Sequence, residues 1–184
     1  MAKIILGLVG KLSSGKGTIA KYLLEKHQAN IVMFSQSLRD VLDRFYLPQT
    51  RDNMQSVSRG LREALGQDVI ARVVAEDAKK AESQIVAVDG VRRPMDIVYL
   101  KELPGFSLIK VETEQKTRHE RLNKRSQNPD DHLITFEEFQ KKDIAEAESL
   151  IDEVAKEARF TVDNNGSQEE LFKQVEEILR KLEV

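Results

Sequence analysis

Three residues near the start of the chain have the types and spacing to hold a polyphosphate. Gly10, Gly15 and Lys16 satisfy the pattern G-x-x-x-x-G-K, between an apolar run and an amphipathic stretch. Glycines let successive N–H groups converge on one anion, and the start of a helix adds unpaired N–H groups. The alternative is a glycine- and serine-rich turn without a ligand. The pattern predicts a phosphate-binding loop made of Gly10, Ser13, Ser14, Gly15, Lys16, Gly17 and Thr18.

The residue after Lys16 departs from the common form of this motif, which has Ser or Thr there to reach magnesium and phosphate. Here that residue is Gly17, and Thr18 follows one position later. Thr18 is therefore a candidate for binding the metal ion and the nucleotide in place of the missing hydroxyl. We expect the ion to depend more on water, on phosphate oxygens and on a carboxylate elsewhere.

A candidate for that carboxylate is Asp89, in the run VDGVRR at the end of an apolar stretch. An acid at the carboxyl end of a buried strand can orient magnesium-bound water. Arg92 follows three residues later and is a candidate for stabilising the migrating phosphoryl group. The alternative is that Asp89 only forms a turn with Gly90.

Polar residues also follow the second apolar run, where Ser35, Ser37 and Arg39 occur in FSQSLRD. Ligands of open α/β sheets bind at the carboxyl ends of the strands. Ser37 and Arg39 are therefore candidates for holding the phosphate of a second substrate, together with Arg92. A solvated helix arginine is the alternative for Arg39.

Arginines and asparagines later in the chain complete the candidate site. Arg118, Arg121 and Arg125 are spaced by three and four, which predicts one helix face directed towards the polar insert SQNPDDHLIT (126–135), a predicted lid. Arginines brought in by a lid stabilise a migrating phosphoryl group, so Arg121 and Arg125 are catalytic candidates. A solvated charged face is the alternative. Asn165, in DNNG, is a candidate for contacting an adenine edge, and turn chemistry explains it equally well.

The elements that must position these residues alternate along the chain. Apolar runs predict strands over 3–9, 30–34, 84–90, 107–112 and, more weakly, 158–162. Helical spacing appears between them, notably in one stretch over 57–81 and another over 94–103. The stripe Leu61, Leu65, Ile70, Val73 and Val74 is predicted to be core, and 46–53 to be loose. Alternating strands and helices predict a parallel sheet with helices on both faces.

Composition narrows the class of protein. A chain of 184 residues suits one domain, and a net charge of −2 gives no general basic field for nucleic acid. Cysteine is absent, which excludes disulfides and thiolate metal sites. No apolar run approaches the roughly 20 residues of a membrane helix. We expect a cytoplasmic monomer or homodimer, without a specific nucleic-acid partner. The histidines, His27, His119 and His132, are predicted to be surface residues.

These motifs together resemble the nucleoside monophosphate kinase branch of the phosphate-loop proteins. The similarity is closest to archaeal adenylate-kinase-related and dephospho-CoA-kinase-like proteins, and extends to phage-type deoxynucleoside monophosphate kinases. It covers nearly the full length, through GKLSSGKGT, SLRDVL, SRGLREALGQDVIARVV, VDGVRRPMDIVYLK, KTRHERLNKR, PDDHLITFEEFQKKD and VDNNGSQEEL. The ending G-K-G-T is similar to the adenylate-kinase type of loop.

The resemblance implies a three-layer α/β/α fold with strand order 2-3-1-4-5, ATP and Mg²⁺ as cofactors, and an acceptor-binding helical region at about 35–80. Arg39 matches its acceptor-phosphate arginine, and Asp89-Gly90 with Arg92 resembles the D-G-x-x-R stretch. Arg121 and Arg125 resemble the lid arginines. After the lid, Lys141, Lys142 and Asp143 stand where relatives often carry R-D-x-R-E.

The sequence therefore predicts an ATP-dependent phosphotransferase that acts on a nucleoside or deoxynucleoside monophosphate. Two alternatives stay open. The acceptor group is a hydroxyl, as in dephospho-CoA kinase, or the chain is a nucleotide-dependent switch or ATPase that acts through a partner.

Overall fold

The computed structural model describes residues 3–124, 134–143 and 146–182. Its five strands form one sheet in the order β2-β3-β1-β4-β5, in which each neighbouring pair is parallel. The predicted order is thus confirmed. The strands are β1 (Ile4–Val9), β2 (Asn30–Met33), β3 (Ile85–Val91), β4 (Phe106–Glu112) and β5 (Phe160–Asp163).

Helices connect the strands. They are α1 (Lys16–His27), α2 (Phe34–Arg44), α3 (Arg51–Leu65), α4 (Val69–Lys80), α5 (Gln115–Asn123), α6 (Phe136–Asp143), α7 (Glu146–Ala155) and α8 (Gln168–Leu182). Two short 3₁₀ turns, Pro94–Ile97 and Leu100–Glu102, precede β4. Within the described ranges, none of the helices has the length and apolar character needed to cross a bilayer.

The sheet is the middle of three layers because β1 is apolar on both faces. One set of its side chains, including Ile5 and Val9, packs with buried residues of α4 and α7. The other set, including Leu6 and Leu8, packs with buried residues of α1 and α8. Continuous apolar runs are typical of parallel strands buried on both sides. The core therefore lies on both faces of β1, directly below the glycine-rich loop that follows it.

The helical stretch predicted over 57–81 is two helices. α3 ends at Gly66, whose φ of 107° favours glycine, and α4 begins after Asp68. Because the helix is interrupted there, the apolar residues before and after Gly66 do not lie on one continuous helix face. Ile70 and Val74 are buried as predicted, whereas Leu65 is 64% exposed and Val73 is 41% exposed. The core prediction for those last two residues was therefore wrong.

The predicted loose segment and the predicted helix over 94–103 also differ from the structure. The helix α3 begins at Arg51, inside that segment, because the Thr50 side chain accepts a hydrogen bond from the Asn53 N–H. The stretch after β3 forms 3₁₀ turns instead of an α-helix. The carboxylate of Asp96 accepts the N–H groups of Arg92 and Arg93 there, at 2.9 and 3.0 Å.

Candidate active site

The loop between β1 and α1 requires glycine at two positions. Gly10 is buried, and a Cβ added to it would lie 2.6 Å from the carbonyl oxygen of Val111. Gly15 has a φ of 102°, and a Cβ there would collide with the side-chain amide of Asn164. Gly17 differs from both, since a Cβ would meet nothing within 4 Å. The loop is thus packed closely on its outer side up to Gly15 and is open at Gly17.

Donors from other elements hold the carbonyl groups of this loop. Ser14 O accepts from Asn164 Nδ2 at 2.7 Å and from Thr113 Oγ1 at 2.8 Å. Leu12 O accepts from Arg118 Nη1 at 3.3 Å. Each bond fixes the plane of a peptide group, because N–H and C=O of one peptide point in opposite directions. The loops after β4 and β5, together with α5, therefore set the direction of these peptide groups in the phosphate-binding loop.

The ammonium group of Lys16 lies over the same loop. Its Nζ donates to Gly10 O at 2.6 Å and to Lys11 O at 3.1 Å. Thr18 is half-buried in the first turn of α1. Both side chains are thus near the loop, where the motif predicts contacts with phosphate.

Several polar atoms at this end of the sheet are buried without a hydrogen-bond partner. Within the described ranges they include Oγ of Ser13 and of Ser14, Oδ1 of Asp89 and Nη1 of Arg121. Each orphaned group costs about 1–3 kcal/mol unless something satisfies it. A polyphosphate offers many acceptor oxygens, and a hydrated magnesium ion offers donors to a carboxylate. The residues present therefore fit a magnesium–nucleotide complex.

Asp89 stands at the middle of the carboxyl edge of the sheet. It pairs with Leu8 of β1 on one side and with Met33 of β2 on the other. Gly90 after it forms a bulge with a φ of 97° and approaches Phe34 at the start of α2. β3 then continues to Val91, so Asp89 belongs to the strand and is not in a turn.

The three predicted acceptor-binding residues lie on α2 and after β3. Ser37 Oγ donates to Phe34 O at 3.2 Å, and Arg39 Nη1 donates to the neutral amide of Gln49 at 2.5 Å. Arg92 is exposed. The structure thus places these residues but does not test their roles, which stay predictions.

Two further arginines at this site, Arg62 on α3 and Arg93 after β3, were not predicted from the sequence as functional residues. Arg62 is half-buried, and its Nε has no hydrogen-bond partner. Burial lowers the pKa of Arg62, and the nearby charge of Arg93 lowers it further, while Asp96 acts in the opposite direction. The motif spacing could have identified Arg93, because D-G-x-x-R counted from Asp89 ends at that residue. The assignment of that motif to Arg92 was therefore wrong.

The three arginines of α5 do not share one role. Arg118 is buried, with its side chain 4% exposed, and pairs with Asp143 of α6. The prediction that it faces the insert was wrong. Arg121 is half-buried and donates to Asn164 Oδ1 at 3.5 Å. Arg125 and residues 126–133 of the predicted lid lie outside the described residues.

Asn164 is the asparagine that contacts the phosphate-binding loop. It is buried, whereas Asn165 is exposed. The Asn165 side chain bonds to Asp163 Oδ1 at 2.6 Å and to the Glu114 N–H at 2.8 Å. Turn chemistry therefore accounts for these contacts of Asn165, and its role towards adenine stays a prediction.

In the described residues, neither a histidine nor a cluster of metal-ligating side chains contributes to this site. His27 and His119 are half-buried and keep part of their surface exposed, and His132 lies outside the described residues. His27 Nε2 lies 2.7 Å from Glu176 Oε1, and His119 Nε2 lies 2.7 Å from Ile134 O. In the part of the chain that the structure describes, no three acids or histidines are grouped as metal ligands.

A groove of about 570 Å³ lies away from the loop, between α4 and the segment before β4. Some of its polar side chains are already engaged with one another or with neighbouring residues. Arg72, for example, bonds to Tyr99 at 3.0 Å and forms an ion pair with Asp68 at 2.7 Å. The orphaned polar atoms and the motif both favour the loop as the candidate site.

Comparisons with known proteins agree with this geometry. A family model described as an AAA domain matches residues 9–139. The UPF0200 protein of Sulfurisphaera tokodaii is 32% identical over 180 residues, 97% of each chain. That of Thermococcus kodakarensis is 32% identical over 191 residues, 99% of this chain and all of its own.

Among solved structures, shikimate kinase from Bacteroides thetaiotaomicron has a TM-score of 0.67 at 13% identity, over 98% of this chain and 99% of that one. TT1252 from Thermus thermophilus has a TM-score of 0.62 at 19% identity, over 99% of both chains. At such identities the likeness shows the fold, which is that of the P-loop kinases.

Proposed function

The chain belongs to the UPF0200 family and has a P-loop kinase fold, and from this premise we propose that it is an ATP-dependent phosphotransferase. It moves the γ-phosphoryl group of magnesium–ATP to a small nucleotide, a nucleoside or deoxynucleoside monophosphate. We propose that it works in the cytoplasm as a monomer or homodimer and binds no specific nucleic acid.

The observation that carries this proposal is the set of orphaned polar atoms around the glycine-rich loop. Two hydroxyl groups of the loop, one carboxylate oxygen at the centre of the sheet edge and one guanidinium nitrogen from α5 are buried without partners. Orphaned groups of both signs favour a ligand that offers both phosphate oxygens and a hydrated cation. When bound, ATP and magnesium supply the transferable group and neutralise part of its developing charge.

The residues of the chain hold and orient the ligand. Lys16 exchanges its contacts with Gly10 O and Lys11 O for the β- and γ-phosphates, and Thr18 binds a phosphate beside it. Asp89, whose Oδ1 is buried without a partner, would accept hydrogen bonds from metal-bound water and so orient the ion. Arg121, through its orphaned Nη1, stabilises charge on the migrating group, as do Arg92 and Arg125.

The charges around β3 favour an anionic acceptor. Arg62 and Arg93 are close enough for one to lower the pKa of the other, a repulsion that an anionic ligand relieves. Arg39 on α2 bonds to a neutral amide, so that contact does not neutralise its charge. We therefore propose that Ser37, Arg39, Arg62 and Arg93 bind the phosphate of the acceptor.

The test is a transfer assay with ATP labelled on its γ-phosphate, magnesium and a panel of acceptors. The panel contains the nucleoside and deoxynucleoside monophosphates and dephospho-CoA. We expect a labelled nucleoside diphosphate from one or a few members, formed far more slowly by Lys16→Ala than by the wild type. Labelled CoA would favour the hydroxyl acceptor instead. Phosphate release that no acceptor alters would indicate the ATPase or switch and overturn the transferase.

A further inference from the structure

The most deeply buried ion pair in the described residues joins the two helices on either side of the predicted lid. Arg118 of α5 and Asp143 of α6 meet through two parallel bonds, Nη1 to Oδ1 and Nη2 to Oδ2, each 2.6 Å long. Their side chains are 4% and 6% exposed. Gln115 Nε2 donates to the same carboxylate at 3.0 Å. The carboxylate is thus fully engaged, and the guanidinium is held in one orientation.

Arg118 has further contacts that lead to the phosphate-binding loop. Its Nε donates to Thr113 O at 3.1 Å, and its Nη1 also donates to Leu12 O at 3.3 Å. The ring of Phe139 lies beside the guanidinium, 5.3 Å away. One side chain therefore contacts the loop, the segment after β4 and α6.

Stability alone is a weak explanation for such a pair. Removing two charges from water costs several kcal/mol per ion, and apolar replacements of similar volume are often neutral or stabilising. Burial would raise the pKa of Asp143, but the hydrogen bonds and charge of Arg118 outweigh it, so the pKa lies below its ordinary value. The carboxylate is therefore ionised and keeps the guanidinium in place.

We propose that Arg118 and Asp143 are positioning residues that hold the Leu12 peptide in the orientation needed for nucleotide binding. Arg118 donates to the loop, and Asp143 fixes the direction of that donor. Neither residue touches the substrate. The inference rests on the proposed function, because it requires that the loop bind a nucleotide.

The chain offers a matched control on the neighbouring residue of the same loop. Lys11 Nζ pairs with Asp152 of α7 at 3.1 Å, but the Asp152 side chain is 59% exposed. An exposed pair contributes little, since solvent screens it. Asp152→Asn therefore removes an ion pair to the loop without removing a buried, fixed donor.

The test compares magnesium–ATP affinity by calorimetric titration in the wild type, Arg118→Met/Asp143→Leu and Asp152→Asn. The apolar double variant removes the donor to Leu12 without leaving a buried charge unpaired. We expect its dissociation constant to rise about tenfold, the usual effect of losing one such hydrogen bond. Its KM for the acceptor should not change, and neither should the affinity of Asp152→Asn.

A second measurement does not depend on ligand or on the double variant. In Arg118→Lys, which keeps the charge but loses the two-pronged geometry, hydrogen exchange of amides 11–14 should be faster than in the wild type. A double variant with the ATP affinity of the wild type, or unchanged exchange in Arg118→Lys, overturns the inference alone. A wild-type protein that binds no magnesium–ATP overturns the proposed function as well.

Discussion

Two glycines of the phosphate-binding loop differ in whether the fold can accept a side chain at their position. Gly15 has a positive φ and lies against Asn164, whereas Gly17 faces open space in the first turn of α1. We expect Gly15→Ala to abolish magnesium–ATP binding, because the strained φ costs about 1–2 kcal/mol and Asn164 must move. Gly17→Ala should keep binding and raise the unfolding free energy by up to about 1 kcal/mol. Titration and thermal unfolding of both variants test this pair.

The ammonium group of Lys16 lies over the loop that is predicted to bind the phosphates. We expect Lys16→Ala to lower kcat/KM for ATP by about 10²–10³-fold, since it removes a charge that acts mainly on the transition state. Lys21→Ala is the control, because Lys21 lies on the same helix but is 73% exposed. Steady-state rates measure both. Near-normal turnover in Lys16→Ala would contradict the role proposed for this residue.

The adjacent arginines after β3 allow their roles to be separated. Arg92 is exposed and Arg93 is half-buried near Arg62. If Arg93 binds the acceptor phosphate, Arg93→Met should raise the acceptor KM about tenfold or more. Arg92→Met should lower kcat with little effect on that KM, because its proposed partner is the migrating group. Full acceptor kinetics on both variants decide, and a larger KM change in Arg92→Met would reverse the assignment.

At the level of elements, the apolar runs sufficed to predict the five strands and their parallel pairing. Most of these runs are nearly continuous, as is typical of strands buried on both faces of a parallel sheet. The weaker run over 158–162 corresponds to β5, an edge strand that is partly exposed. The phosphate-binding loop was also recognisable in the sequence, because the residues of its motif are close together in the chain. The strands and this loop are therefore predictable from the pattern of neighbouring residues in the sequence.

Features that depend on distant contacts were not predictable from one sequence. The burial of Arg118 requires Asp143, 25 positions later, and the contact of Asn164 with Ser14 spans 150 positions. In the sequence, Arg118 is one of three similarly spaced arginines, and nothing local distinguishes it. The break at Gly66 was readable in principle, but a single glycine is also tolerated within a helix.

The packing of α1 against α8 gives the fold a defined acid sensitivity. One carboxylate oxygen of Glu176 on α8 meets Tyr22 (2.6 Å), His27 (2.7 Å) and Lys26 (3.1 Å) of α1. Burial would raise the pKa of Glu176, but these three donors outweigh it and lower the pKa to about 2. The carboxylate therefore stabilises the fold above its unfolded pKa of 4.5, and this contribution is lost as the pH falls towards 2.

We expect Glu176→Gln to cost about 1 kcal/mol of unfolding free energy at pH 7, a value discounted because the site is partly solvated. The difference from the wild type should be constant above about pH 5 and shrink below pH 4.5, where the unfolded wild-type chain takes up the proton first. Denaturant unfolding at several pH values measures it. Glu177→Gln, the neighbouring acid on α8, is the control and should show no such dependence.

Across the whole molecule, the proposed groups converge because parallel strands end at one edge. The loop after β1 is the proposed phosphate-binding loop, and Asp89 stands on β3. The loops after β4 and β5 supply Thr113 and Asn164, whose side chains bond to the backbone of that loop. Ligand binding at this edge therefore engages four of the five strands. A ligand that binds only the folded state must stabilise all of them together.

Because the ligand stabilises these strands together, we expect it to raise the melting temperature, Tm, of the protein. Ligand at 100 times its dissociation constant stabilises the folded state by about 2.7 kcal/mol. In a chain of this size each kcal/mol raises Tm by about 2–4 °C, so magnesium–ATP should raise Tm by roughly 5–11 °C. The Lys21→Ala variant should show the full shift, and Gly15→Ala should show none at the same concentration. An unchanged Tm of the wild-type protein at millimolar magnesium–ATP would contradict nucleotide binding itself, on which every role proposed for these residues depends.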